Sequence, residues 1–154
     1  MDVKVILQAA LASALLLATG FPASALTADQ ALQARKSRYR EVGAAFKTIN
    51  DQAKSGTLIK ITLKSSARLI SAAARDQYMW FPAGSGPSPQ VKTKALPAIW
   101  SDPAKFKRAQ DDFRRQADLM AVVAEKGDLA QVRAQARLLG QACAACHRPF
   151  RQED

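Results

Sequence analysis

Apolar side chains recur at helical spacing along most of the chain beyond residue 26. Leu32, Tyr39, Val42, Phe46, Ile49 and Ala53 share one face of a helix expected over 28–55. Thr27, with Gln30 three residues on, gives that helix a capping box, and Gly56 gives it a stop. A second helix is expected over 58–80. Its opening is ambiguous, because Ile59, Ile61 and Leu63 alternate with Lys60, Thr62 and Lys64 as a strand would. Nothing else in the chain alternates to pair with such a strand, so the helical reading is preferred. A third helix opens at Asp102-Pro103, an N-cap followed by proline at the first helical position, and runs to Lys126. It places Phe106, Phe113, Ala117, Met120 and Ala124 on one face. Gly127 ends it and Asp128 caps a fourth, whose stripe carries Leu129, Val132, Ala136, Leu139, Cys143, Cys146, His147 and Phe150.

The one long connection is 81–102, punctuated by Pro82, Pro87, Pro89, Pro97 and a Gly-Ser-Gly turn at 84–86. Ile99 and Trp100 are expected to tuck it onto the helices. The other two connections are short, and short connections force antiparallel neighbours. The fold class is therefore all-α: an antiparallel up-down-up-down four-helix bundle.

Residues 1–25 stand apart from this pattern. Lys4 precedes a run from Val5 to Ala18 that is apolar except for Gln8 and Ser13, and Ala23-Ser24-Ala25 presents small residues where a signal peptidase reads them. The run of about 14 apolar residues is shorter than the roughly 20 needed to span a bilayer. The expectation is a secretory signal cleaved after Ala25, a bundle over 26–154 and a periplasmic location. No stable membrane insertion is expected.

Charge changes the picture of partners. The chain has 154 residues and a net charge of +10. Export argues against nucleic acid, so a basic surface points to an acidic partner protein and salt-dependent docking. Composition narrows the chemistry further. With two cysteines and one histidine in the whole chain, a disulfide scaffold, a Cys₂His₂ zinc site and any bis-histidine metal site are excluded.

All three residues lie in Cys143-Ala-Ala-Cys146-His147. On a helix, positions i, i+3 and i+4 share a face. Two thiols one turn apart can add across the two vinyl groups of haem while the next residue offers an imidazole to the iron, which is the c-type haem attachment signature. Two alternatives are weighed against it. A Cys-x-x-Cys thiol–disulfide oxidoreductase normally carries its motif at the start of a helix after a strand. Here the motif sits near the end of the last helix of a strand-free chain. The other alternative is a pair of buried structural cysteines with a core histidine.

Four stretches together resemble the class II c-type cytochromes, the cytochrome c′ family: Arg35 to Lys47, Phe81 to Gly86, Ile99 to Phe106, and Cys143-x-x-Cys-His-x-x-Phe-Arg151. The resemblance covers 26–154 and implies one covalent haem c per chain. By that resemblance Cys143 and Cys146 are the thioether anchors, and His147 is the axial iron ligand. Arg151 stands beside the proximal face, Arg35 faces the haem toward a propionate, and Tyr39 occupies the distal position. Low-spin members have a methionine at the distal position; here it is tyrosine. Met79 and Met120 are expected to be core filler. The resemblance thus implies five-coordinate, high-spin iron, electron transfer and binding of small gases such as nitric oxide and carbon monoxide. A six-coordinate electron carrier is the alternative. It implies no enzyme activity, and allows a homodimer in which Leu58, Ile59 and Ile61 take part. Pro149 is a departure from regular helix and should loosen the chain just after the ligand.

Overall fold

The computed structural model describes residues 26–153, so the expected signal segment and its cleavage point lie outside the described residues. Helix α1 spans Ala28–Ser55, α2 Lys60–Asp76, α3 Ala98–Ser101, α4 Pro103–Lys126 and α5 Leu129–Phe150. No strand occurs among the described residues. The caps are those the sequence announces. Thr27 and Gln30 form the reciprocal capping box, Asp102 accepts from Lys105 N–H, and Asp128 accepts from Ala130 and Gln131 N–H. Left-handed Gly56 and Gly127 close α1 and α4.

The long helices pack antiparallel around one core. Arg133 Nε donates to the Ala53 carbonyl between α5 and α1, Arg68 of α2 reaches Glu125 of α4, and Tyr78, just beyond α2, reaches Asp111 of α4. Inside, Ile49, Leu63, Ile70, Met120, Val132 and Leu139 are fully buried. Small residues Ala67, Ala74, Ala117 and Ala136 stand between them and let the helices approach. Leu139→Ala is expected to cost about 2–5 kcal/mol, because a packed site relaxes only in part around a lost isobutyl group. Urea denaturation of the holoprotein followed by helical circular dichroism measures it.

Three local expectations are corrected. The second helix starts at Lys60 rather than Leu58, and its α-helical part stops at Asp76, followed by a 3₁₀ turn at Gln77–Met79. The tightening turns Gln77 inward and lays the buried Trp80 edge-on against Tyr39, with ring centroids 4.9 Å apart. Its N-terminus has no side-chain cap of its own. Gln52 of α1 supplies one, accepting from Ile59 N–H (2.7 Å) and donating to Thr62 Oγ1 (2.9 Å). The strand-like alternation there reflects exposure: Ile59 and Ile61 face solvent at 55% and 77%, while Leu63 is buried.

Met79 is not core filler but stands 83% exposed, whereas Met120 is in the core. Pro149 does not loosen α5. The helix continues to Phe150, and Arg151 N–H reaches the His147 carbonyl at 2.9 Å. Only the Ala145 carbonyl loses a donor to Pro149. The last turn is held from outside by Leu96 N–H on the Phe150 carbonyl and by Phe150 packing on Ile99 and Phe106.

Candidate haem site

The bundle opens at one end into a cavity of about 850 Å³, within the usual range for small-molecule sites. Helix periodicity puts Cys143, Cys146 and His147 of α5 on its wall, and Tyr39, Val42 and Phe46 of α1 line it as well. The connection between α2 and α4 contributes Phe81, Lys92, Thr93 and Ala95. The end of that connection runs antiparallel to the chain beyond His147. Ala95 pairs with Arg151, and Gln152 N–H donates to the Lys94 carbonyl at 2.8 Å. The α5 motif is thereby fastened at both ends, by the helix before it and by this short ladder after it.

The titration of the motif follows from its place in the wall. Burial pushes the Cys143 and Cys146 thiols up to about 11. Desolvation, and then the Arg151 cation, hold His147 below the ordinary imidazole range. Its neutral form, the one that binds a metal, is therefore favoured near neutral pH. Tyr39 is pushed well above the usual phenol range, chiefly by burial and next by the two cysteines, with Arg35 opposing.

Arg35 lines the cavity as expected and has a second engagement. It is only 3% exposed, and its guanidinium is engaged by the connection. Nη1 donates to Ser85 Oγ (2.8 Å), and Nη2 donates to the Ser85 carbonyl (2.7 Å) and to Thr93 Oγ1 (3.2 Å). Phe81 and Trp100 lie against it at 5.1 and 5.8 Å. Beside the propionate that the sequence resemblance implies for it, Arg35 thus clamps the connection. None of the ion pairs among the described residues involves it. A buried cation with neutral partners alone leaves an anion to be supplied.

Gln77 gives no signal in the sequence, and Phe46 gives only its place on the apolar face of α1. Gln77 sits behind Tyr39 and accepts from its hydroxyl at 3.5 Å. Phe46 occupies the space beside Gly140, where a Cβ would come within 3.1 Å of its Cζ. Glycine inside a helix costs roughly 1 kcal/mol relative to alanine, and here it gives room to an aromatic wall.

These residues fit a haem. Two thiols and one neutral imidazole share a helix face, apolar walls flank them, and every ionisable acid–base side chain at the rim is cationic: Lys36, Arg40, Lys92, Lys94 and Arg151. That charge suits a flat apolar ring carrying two carboxylates. The sequence model of the family described as Cytochrome C' matches residues 30–151. This chain belongs to the cytochrome c′ family. Like its family, it carries covalently attached haem c.

The curated relatives agree. Cytochrome c′ of Rubrivivax gelatinosus is 39% identical over 70 residues, covering 46% of this chain and 54% of the relative. Cytochrome c′ of Rhodospirillum rubrum is 30% identical over 119 residues, covering 77% and 80%. The match spans little more than half the length of the first relatives, between 54% and 59%. The crystal structure of the Rubrivivax gelatinosus protein superposes with a TM-score of 0.77 at 26% identity, covering 84% of this chain and all of that one. A nitric oxide complex of an Alcaligenes xylosoxidans cytochrome c′ variant shares the fold, with a TM-score of 0.76 at 23% identity, covering 85% and 100%.

Proposed function

We propose that this cytochrome c′ is a periplasmic electron-transfer and gas-binding protein, not an enzyme, whose haem iron is five-coordinate and high-spin. Cys143 and Cys146 hold the haem through thioethers, and His147 is the single axial ligand from the protein. The group supplies a redox-active iron with an open position for nitric oxide or carbon monoxide. One observation carries this reading: among the described residues, no methionine and no histidine other than His147 lines the cavity. The chain has one histidine, Met120 is locked in the core, and Met79 is exposed to solvent away from the cavity wall. Tyr39 stays a neutral phenol, because burial raises its pKa, and a neutral phenol is a poor ligand. The nitric oxide complex known for a fold neighbour supports the gas-binding part.

Thiol–disulfide exchange is disfavoured on physical grounds. That chemistry needs depressed thiol pKa values, and burial drives both thiols here the other way. The cationic rim favours an acidic redox partner over a neutral one. No described helix is long and apolar enough to cross a membrane. The exposed Ile59 and Ile61 mark where a second copy would be covered, which sedimentation velocity tests.

Electron paramagnetic resonance of the ferric holoprotein is expected to show a high-spin signal near neutral pH, with no methionine–iron charge-transfer band in the near infrared. A low-spin signal with that band overturns the reading. Tyr39→Met is expected to shift the spectrum toward six-coordinate low spin, and Tyr39→Ala to speed ligand entry.

A further inference from the structure

Tyr39 carries a hydroxyl on an otherwise apolar stretch of wall. Val42 and Phe46 follow it by three and seven residues along the same helix, and the Phe81 ring lies 6.2 Å away. Trp80, edge-on at 4.9 Å, fixes the plane of the phenol. Behind it lies a fully enclosed pair of carboxamides. Gln77 is 2% exposed, and its Nε2 donates to the Ala74 carbonyl (3.1 Å) and the Gln110 carbonyl (3.2 Å). Gln110 Nε2 donates back to the Gln77 carbonyl at 3.3 Å.

With both its protons committed to carbonyls, the Gln77 amide can stand in only one orientation. Oε1 points at Tyr39, and the phenol is the donor. That contact is 3.5 Å, well beyond the usual O–H···O distance of about 2.7–2.8 Å. The proton is therefore aimed but weakly held. A buried polar group is costly unless it is satisfied, and the one slack contact of the Gln77 amide is the one to Tyr39.

We propose that Gln77 is a positioning residue for Tyr39, and that the Tyr39 proton is shared between Gln77 Oε1 and the outer atom of a diatomic gas bound in the cavity. This rests on the reading that the cavity binds gases at its haem. A hydroxyl donor stabilises a diatomic whose outer atom gathers negative charge, so the pair favours nitric oxide over carbon monoxide. Donors in the pocket are among the features that decide what such a site holds.

The test is vibrational spectroscopy of the reduced holoprotein under carbon monoxide. A hydrogen bond to the outer atom lowers the C–O stretch. The wild type is expected below Tyr39→Phe, which keeps the ring and removes only the donor. Gln77→Met, which removes the resting acceptor, is expected at or below the wild-type frequency. Nitric oxide dissociation is expected to quicken roughly two- to tenfold in Tyr39→Phe, the range of one net hydrogen bond. Equal C–O stretches in wild type and Tyr39→Phe overturn the proposal, as does a rise in Gln77→Met to the Tyr39→Phe value. If Gln77→Met does not fold, the comparison of wild type with Tyr39→Phe decides. A holoprotein that takes up no carbon monoxide overturns the gas-binding reading and this proposal with it; uptake with a stretch indifferent to Tyr39→Phe overturns this proposal alone.

Discussion

Replacing His147 by alanine is expected to abolish the native ferric spectrum while leaving the haem bound through its thioethers. No other histidine exists in the chain to replace it. Of the other nitrogen-bearing side chains at the rim, Lys36, Arg40, Lys92 and Lys94 must each give up a proton before they can offer a lone pair to a metal. The fold should tolerate the change. The His147 carbonyl, not its ring, accepts from Arg151 N–H, and that backbone bond survives in alanine. Pyridine haemochrome spectra should therefore remain of c type, with the native bands lost and added imidazole restoring them. Persistence of the native bands would mean that the axial ligand lies elsewhere.

The second large effect concerns stability. Arg35→Ala is expected to destabilise the holoprotein by about 2–4 kcal/mol. The variant loses three hydrogen bonds from a charged donor to Ser85 and Thr93, each of a kind worth about 1.5–3 kcal/mol. Relief of the buried cation's desolvation offsets part of that sum. Ser85 is fully buried, so its carbonyl is left without the guanidinium and with little access to water. The damage should be local. Faster proteolysis is expected within 82–97, with the helical signal of the bundle kept. Arg35→Lys should rescue little, because one ammonium cannot reproduce a planar fork that meets a hydroxyl and a carbonyl on the same residue. A urea midpoint unchanged from wild type, with the connection still protected, would show that Arg35 is not the clamp.

These two residues mark the two kinds of information in the chain. His147 is assignable from its neighbours in sequence, because a helix turns i, i+3 and i+4 onto one face whatever surrounds it. The caps at Thr27, Asp102 and Asp128 are legible for the same reason: each bonds to a backbone group two or three residues away. Periodicity of apolar positions, together with Gly56, Gly127 and Pro103, sets the four long helices to within a few residues. Short connections then leave an antiparallel bundle as the way to bury their stripes.

What the tertiary structure decided involves partners far apart along the chain. Arg35 meets Ser85 and Thr93 across 50 and 58 residues, and Gln77 meets Gln110 across 33. No local pattern encodes such meetings, because they depend on how the 81–102 connection folds back over the cavity. The start of α2 is hidden from its own sequence because its cap comes from Gln52 on another helix, and its end because Trp80 turns inward against Tyr39. Met79 resembles core by its side chain alone, but the 3₁₀ turn that buries Gln77 sends it outward. Pro149 reads as a break, since proline always removes a donor. Whether the helix opens there depends on what holds its last turn, and here that is Leu96 and the packing of Phe150. Sequence determined the helices and the haem-binding chemistry, because hydrogen bonds and side-chain faces within a helical turn are local. Tertiary structure decided which polar groups border the cavity and where their protons point, because each is fixed by a partner many turns away.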